Sequence, residues 1–223
     1  MNNFLNELEE RIGYKFKNIE FLKIALTHSS YANEHFIECN ERMEFLGDAV
    51  LELCMSKYLY NSMDLNEGVL TKTRAKAVCE EALDIYAQKI NLPKYLFLGK
   101  GEETSGGRKR PAIIADAYEA MLGAIFLDGG FEAAYKAVSE NIIPNMQHVL
   151  QFKDYKSMLQ EKLQSEKRSI RYEIIRDEGP ANNKTFESVV FMDNILMGRG
   201  LGKTKKEAQQ NAAKDALDKE AKN

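Results

Sequence analysis

Three acidic residues interrupt the apolar run from Asn40 to Leu53 at the spacing of a single helical stripe: Glu41, Glu44 and Asp48. At about 100° per residue, positions i, i+3 and i+7 share one face. No Lys or Arg neutralises that face at i+4, because Glu41 meets Phe45, Glu44 meets Asp48, and Asp48 meets Glu52. Like charges so placed cost roughly a few tenths of a kcal/mol each, and more when half buried. A solvated acidic face is normally laced with Lys and Gln, which this one lacks. The competing reading is a divalent-cation site, since hard cations take carboxylate oxygens. A second pair, Asp116 and Glu119 at i, i+3, interrupts another apolar stretch, Ala112 to Leu127, again without a basic neighbour. Together Glu44, Asp48, Asp116 and Glu119 form a candidate set for a magnesium-type ion.

Other chemistries find less support. Thr27-His28-Ser29-Ser30 sets a histidine beside serines, but there is no G-x-S-x-G elbow and the chain has only three His. His28 reads instead as a local hydrogen-bonding residue that fixes a loop. Gly99 to Pro111 is a glycine- and charge-rich loop without the G-x-x-x-x-G-K-[ST] order of a phosphate-binding loop. Arg108-Lys109-Arg110 at its end is a candidate phosphate contact, against the plainer reading of a solvated basic run.

The acidic residues need rigid helices to bring them together. Met43, Phe45, Leu46, Val50, Leu51 and Leu53 are too dense for a surface helix and do not alternate strictly, which predicts a largely buried helix. Helices are expected over 1–10, 18–27, 57–63, 69–78, 80–90, 112–127 and 131–150, with a connector at 151–153. The chain of 223 residues, 44% hydrophobic and 29% charged, suits a soluble globular protein of one or two domains. No apolar run approaches the ~18 residues of a membrane span, so no membrane association is expected. Cys39, Cys54 and Cys79 are odd in number and lack C-x-x-C spacing, which favours reduced thiols and a cytoplasmic location.

The net charge of −3 is divided unevenly. Residues 1–152 carry 22 acidic and 16 basic side chains, whereas residues 153–223 carry 12 and 15. The basic part reads differently from the rest: a helix over 154–164, then strands over 171–175, 186–192 and 195–201. A turn opens at Gly179-Pro180, a hairpin turns at Asp193-Asn194, and Gly198 and Gly200 break the last strand. Thr204 to Glu207 is a capping-box signature that starts a final helix striped with Ala208, Ala212, Ala216 and Leu217. Lys203, Lys205 and Lys206 crowd that helix N-terminus, where the dipole disfavours cations unless an anion is bound.

These motifs carry a resemblance. Asn40-Glu-Arg-Met-Glu-Phe-Leu-Gly-Asp48 closely resembles the signature stretch of bacterial ribonuclease III, and Glu67-Gly-Val-Leu-Thr, Gly99-Lys-Gly-Glu-Glu and Asp116-Ala-Tyr-Glu119 match its other motifs in order. Asp154 to Ala216 resembles a double-stranded-RNA-binding domain. The likeness covers nearly the whole chain. It implies an α+β multidomain protein, with an all-α endonuclease domain over 1–150 and an α-β-β-β-α RNA-binding domain over 154–222. It further implies a homodimeric, magnesium-dependent endonuclease for double-stranded RNA, with manganese able to substitute, acting in ribosomal and messenger RNA processing. Each subunit is expected to cut one strand, leaving 5′-phosphate and 3′-hydroxyl ends with a short 3′ overhang.

Residue by residue, the resemblance implies metal ligands at Glu44, Asp48, Asp116 and Glu119. Catalytic roles fall on Asp48 and Glu119, with Glu41 and Glu67 as further acids of the same valley; Glu52 matches no family position. RNA contacts fall on Gln160, Glu161 and Gln164 of the domain's first helix, Asn182 in the loop after Gly179, and Lys203, Lys205 and Lys206. Two residues depart from the family pattern: Met43 replaces the usual Leu, nearly conserving volume, and Asn182 stands where His is common. The rival readings are a non-catalytic double-stranded-RNA-binding dimer and a helical hydrolase of small phosphorylated substrates.

Overall fold

The computed structural model describes residues 2–150, 155–179 and 184–220, and the chain divides into two units, Met1–Gln151 and Phe152–Asn223. In the first unit α1 (Asn2–Ile12), α2 (Ile19–Ala25) and α3 (Ser29–His35) precede the long α4 (Glu41–Ser62). Then come α5 (Glu67–Ala77), α6 (Glu80–Lys89), the short α7 (Lys100–Thr104), α8 (Pro111–Asn141) and α9 (Ile143–Leu150). The core joins Leu5, Leu8 and Ile12 of α1 to Leu51, Met55 and Leu59 of α4, Leu83 and Tyr86 of α6, and Ile114, Tyr118 and Leu122 of α8. Among the described residues no helix is long and apolar enough to cross a membrane.

The expected loop around His28 is in fact the start of α3. Its imidazole Nδ1 accepts the Ser30 backbone N–H at 3.2 Å and so acts as the N-cap, while Phe36 in the left-handed region ends the helix. The glycine-rich stretch 99–111 likewise holds α7 and a 3-10 turn at Gly107–Lys109. Glu102 and Glu103 favour the positive N-terminal end of α7. They are also tied to the basic residues that follow: Arg110 to Glu102 at 2.7 Å, and Arg108 to Glu103. Two residues of that basic run are therefore already paired within the unit.

The long acidic helix is one element with a break. Gly130, at φ 77° and ψ −175°, leaves helical geometry and kinks α8 near the gap expected at 128–130. The helix expected over 131–150 is split in turn, its first part continuing α8 and its second forming α9 beyond Ile142. Burial of α4 is less complete than its composition predicts. Met43, Val50 and Leu51 are buried, but Phe45 is 82% and Leu53 56% exposed.

The second unit runs α10 (Tyr155–Ser165), β1 (Ile170–Glu178), β2 (Thr185–Met192), β3 (Ile195–Gly202) and α11 (Lys205–Glu220). The sheet is antiparallel in the order β1-β2-β3, with Tyr172 opposite Val190 and Val190 opposite Gly198. Gly198 and Gly200 do not interrupt β3. A Cβ on Gly200 would lie 2.1 Å from the Ala212 nitrogen, and one on Gly198 2.3 Å from the Ala212 oxygen. These glycines let the Ala208, Ala212 and Ala216 stripe of α11 rest directly on the strand. Leu159, Leu163, Val190 and Met192 complete a core separate from that of the first unit. Residues 151–153, Pro180 and Asn182 lie outside the described residues, as does the Glu161 side chain.

Candidate nuclease site and RNA-binding unit

The first unit's widest helix–helix contact is between α4 and α8, and glycine sets how close it is. A Cβ on Gly47 would lie 1.8 Å from the Glu119 carbonyl oxygen, and one on Gly123 2.3 Å from that of Met43. No side chain fits at either point, so the two backbones touch. Glu44 and Asp48 flank Gly47 on α4, and Glu119 and Asp116 stand one and two turns before Gly123 on α8. The crossing thus brings together two acidic pairs that are about 70 residues apart in sequence.

Their electrostatics reflect that proximity. Burial, then the charges of Asp48, Glu44 and Asp116, push the Glu119 carboxyl up to about 8. Burial also raises Glu44, reinforced by Asp116, Glu41 and Asp48. Asp116 is raised by burial and by Glu80, while His28 acts in the opposite direction. Among the described residues, none of these four carboxylates forms an ion pair or accepts a hydrogen bond. Nor do any three acidic, His or Cys side chains stand close enough to make a finished metal site. Both facts describe one arrangement: four half-buried or exposed carboxyl groups that feel one another's charge. Their donors are hard oxygens, the set that a magnesium-type ion takes.

The remaining acids divide. Glu41 is exposed on α4 and acts on Glu44, so it belongs to the cluster. Glu67 does not join it in this chain. It is the first residue of α5, accepts from the Thr71 hydroxyl at 3.1 Å, and lines a separate pocket with Ser56, Leu59, Tyr60, Leu70 and Arg74. Glu52 pairs with Arg74 at 3.7 Å, which takes it out of the uncompensated stripe. Glu80 and His28, whose charges act on Asp116, have no signal in sequence spacing, because they belong to other parts of the chain than α8.

In the second unit Gln160 and Gln164 are exposed on α10, and Lys203, Lys205 and Lys206 are exposed around the start of α11. Thr204 Oγ accepts the Glu207 N–H at 3.1 Å, and the Glu207 carboxylate accepts the Lys203 N–H at 2.6 Å. The capped helix end therefore presents a cluster of cations to the solvent.

A helical unit with an uncompensated carboxylate quartet, joined to a small α-β-β-β-α unit with a basic helix end, defines a class: hydrolases of nucleic-acid backbones. Comparison with known proteins narrows it. A Ribonuclease-III-like family model matches residues 18–146, and a double-stranded RNA binding motif matches 155–220. Ribonuclease 3 of Listeria monocytogenes is 46% identical, covering 97% of this chain and 98% of its own. Ribonuclease 3 of Oceanobacillus iheyensis is 48% identical, covering 96% and 97%. A solved structure of the nuclease domain of ribonuclease III from Campylobacter jejuni is 40% identical, with a TM-score of 0.59, over 62% of this chain and 96% of that one. The chain belongs to the ribonuclease III family. It is an endoribonuclease for double-stranded RNA, built as a helical nuclease unit followed by a double-stranded-RNA-binding unit.

Proposed function

We propose that the chain cuts double-stranded RNA with a divalent cation held by Glu44, Asp48, Asp116 and Glu119, leaving 5′-phosphate and 3′-hydroxyl ends with short 3′ overhangs. The carrying observation is the carboxylate quartet at the α4–α8 crossing, where burial and mutual repulsion raise Glu44 and Glu119 and none of the four forms an ion pair among the described residues. Magnesium is the proposed ion and manganese a working substitute, since both accept carboxylate oxygens. When bound, such an ion activates water and stabilises charge on the leaving oxygen of an in-line displacement. The protein's part is to hold four carboxylates on two locked helices. Asp48 and Glu119 are assigned catalytic roles, Glu41 strengthens the local field, and Glu67 is assigned on its motif alone.

The proposed nuclease domain spans 1–150 and the RNA-binding domain 154–222. Gln160, Gln164, Lys203, Lys205 and Lys206 are the proposed RNA contacts, with Glu161 and Asn182 assigned on the motif. Such a domain reads A-form shape, 2′-hydroxyls and phosphates over ~16 base pairs rather than sequence. A homodimer is proposed because Phe36 and Phe45 are 96% and 82% exposed, and large apolar groups beside a site call for cover. The related Campylobacter jejuni nuclease domain is described as having structural flexibility in a region involved in its dimer formation. Processing of ribosomal and messenger RNA in the cytoplasm is the proposed setting, in keeping with three free cysteines. A non-catalytic RNA-binding dimer is the rival, and it has no use for the electrostatic cost of the quartet.

The test is a long, perfect RNA duplex incubated with the protein in magnesium, in EDTA, and in calcium. Magnesium-dependent cutting to short duplexes is expected, together with a sedimenting mass twice the 25.4 kDa of the chain. Binding without cutting in magnesium would hand the case to the rival.

A further inference from the structure

The two outer edges of the second unit's sheet are built differently. β3 is closed by α11: its Arg199 N–H donates to the Asp215 carboxylate at 2.9 Å, its Leu201 oxygen accepts the Asn211 amide at 2.7 Å, and its Met197 oxygen accepts the Lys219 ammonium at 3.5 Å. A helix laid over an edge in this way keeps other strands from pairing there. β1 is the opposite edge, beyond β2 from the strand that α11 packs along. It is exposed at Arg171 and again from Ile175 to Glu178. Between Ile174 and Arg176 it carries a bulge, and the extra residue resets the alternation of side chains. Arg171 and Glu173 lie opposite Phe191 and Val189, and Arg176 and Glu178 opposite Glu187 and Thr185, so all four share one face of the sheet. Strict alternation would put 171 and 173 on one face and 176 and 178 on the other.

The charges on that face are self-complementary. Laid antiparallel to a copy of itself about the Ile174–Ile175 centre, β1 sets Arg171 opposite its partner's Glu178 and Glu173 opposite its partner's Arg176, and the two-fold axis repeats both pairs. A slip of two residues either way sets Arg171 against Arg176 or Glu173 against Glu178, so charge selects one register. Within one chain these groups pair as Arg171 with Glu173 and Arg176 with Glu178, the latter at 2.8 Å, on side chains open enough to exchange partners. We propose that the β1 edge is an interface for a second copy of this chain: two RNA-binding units join β1 to β1, antiparallel, into one six-stranded sheet. Gln160, Gln164, Lys203, Lys205 and Lys206 all lie off β1. The joined units therefore offer a duplex two binding surfaces, which raises affinity through effective concentration.

The test reads hydrogen exchange of the β1 amides in the full chain without RNA, with thermal unfolding alongside. Arg171→Glu with Arg176→Glu makes an acidic edge, and Glu173→Arg with Glu178→Arg a basic one. Each alone meets like charges and is expected to lose the protection that β1 has in the wild type. Mixing the two proteins should restore it, because acidic edge then meets basic edge, and a chain with all four changes should keep it. Wild-type protection in either half-reversed chain would overturn the proposal, as would a loss that mixing does not repair, since the changes would then act within one chain. A second measurement covers half-reversed chains that fail to fold. Arg171→Cys with Glu178→Cys places two thiols about 23 Å apart along one strand, too far to join each other, but opposite one another across the proposed interface. Mild oxidation should link chain to chain well above the level seen in the wild type treated in parallel, and no excess over the wild type would overturn the interface.

Discussion

Glu119 shows how one residue links the site's chemistry to its stability. Its carboxyl, ordinarily near 4.5, is pushed up to about 8 by burial and then by Asp48, Glu44 and Asp116, so without a metal it keeps its proton at neutral pH. Between these two values the folded chain binds a proton that the unfolded chain has lost. This stabilising contribution is therefore fully present below about 4.5 and disappears as pH rises through about 8. In EDTA, the wild type should lose stability between pH 5 and pH 8.5, and Glu119→Gln should lose less. After discounting for the solvent-exposed part of the group, the difference is on the order of 1–2 kcal/mol, or about 3–6 °C in Tm. Calorimetry at the two pH values checks this, and parallel profiles for the two proteins would contradict it. The quartet was legible in the sequence because i, i+3 and i+4 spacings fix which carboxylates share a helix face. Glu80 and His28 were not, because their charges act on Asp116 from other parts of the chain, which no local spacing encodes. Glu67 shows the converse: its motif is plain, yet this chain's packing leaves it beside Thr71 and Arg74.

At the scale of elements, the site depends on two helices meeting without side chains between them. Gly47→Ala would set a Cβ 1.8 Å from the Glu119 carbonyl, against backbone that cannot move aside as a flexible side chain can. Overpacking of a close-packed interior typically costs about 1–3 kcal/mol, and a backbone collision stands at the upper end. We expect Gly47→Ala to lose about 3 kcal/mol in denaturant unfolding, and to bind manganese more weakly even where it stays folded, because α4 and α8 must separate. A variant that lost stability but kept wild-type manganese affinity would show that the quartet does not depend on this crossing. Periodicity exposed α4 and the two runs 112–127 and 131–150, since dense apolar residues are a local signal, but not that the first run and part of the second join as α8. It missed α3, capped by a histidine, and α7, whose glycines mask a turn held by Glu102 and Glu103 pairing with Arg110 and Arg108. Phe45 misled in another way. Composition treats it as core, whereas the fold turns it outward, and an exposed apolar residue and a core one look alike in sequence.

The whole molecule separates two tasks that the charge distribution had already divided. The acidic quartet belongs to a unit with its own core, and the basic helix end belongs to another. Affinity for a duplex can therefore be weakened without touching the cutting chemistry. Lys205 is the residue on which to test this: it is exposed at the first position of α11, with its ammonium 6.0 Å from the Phe186 ring and no acidic partner among the described residues. A lysine that meets a phosphate contributes through counterion release, so its removal acts on every duplex alike and flattens the salt dependence. For Lys205→Ala, we expect the slope of log affinity against log salt to shrink by roughly 1. Binding should weaken uniformly across duplexes of unrelated sequence, while the cleavage rate at saturating RNA stays at the wild-type value. Filter binding at several salt concentrations and single-turnover cleavage on two unrelated duplexes give both readouts. A loss confined to one sequence would mean that Lys205 reads bases. A fall in the saturated rate would mean that the basic helix end also takes part in positioning the strand for cutting, and the two tasks would not be separable.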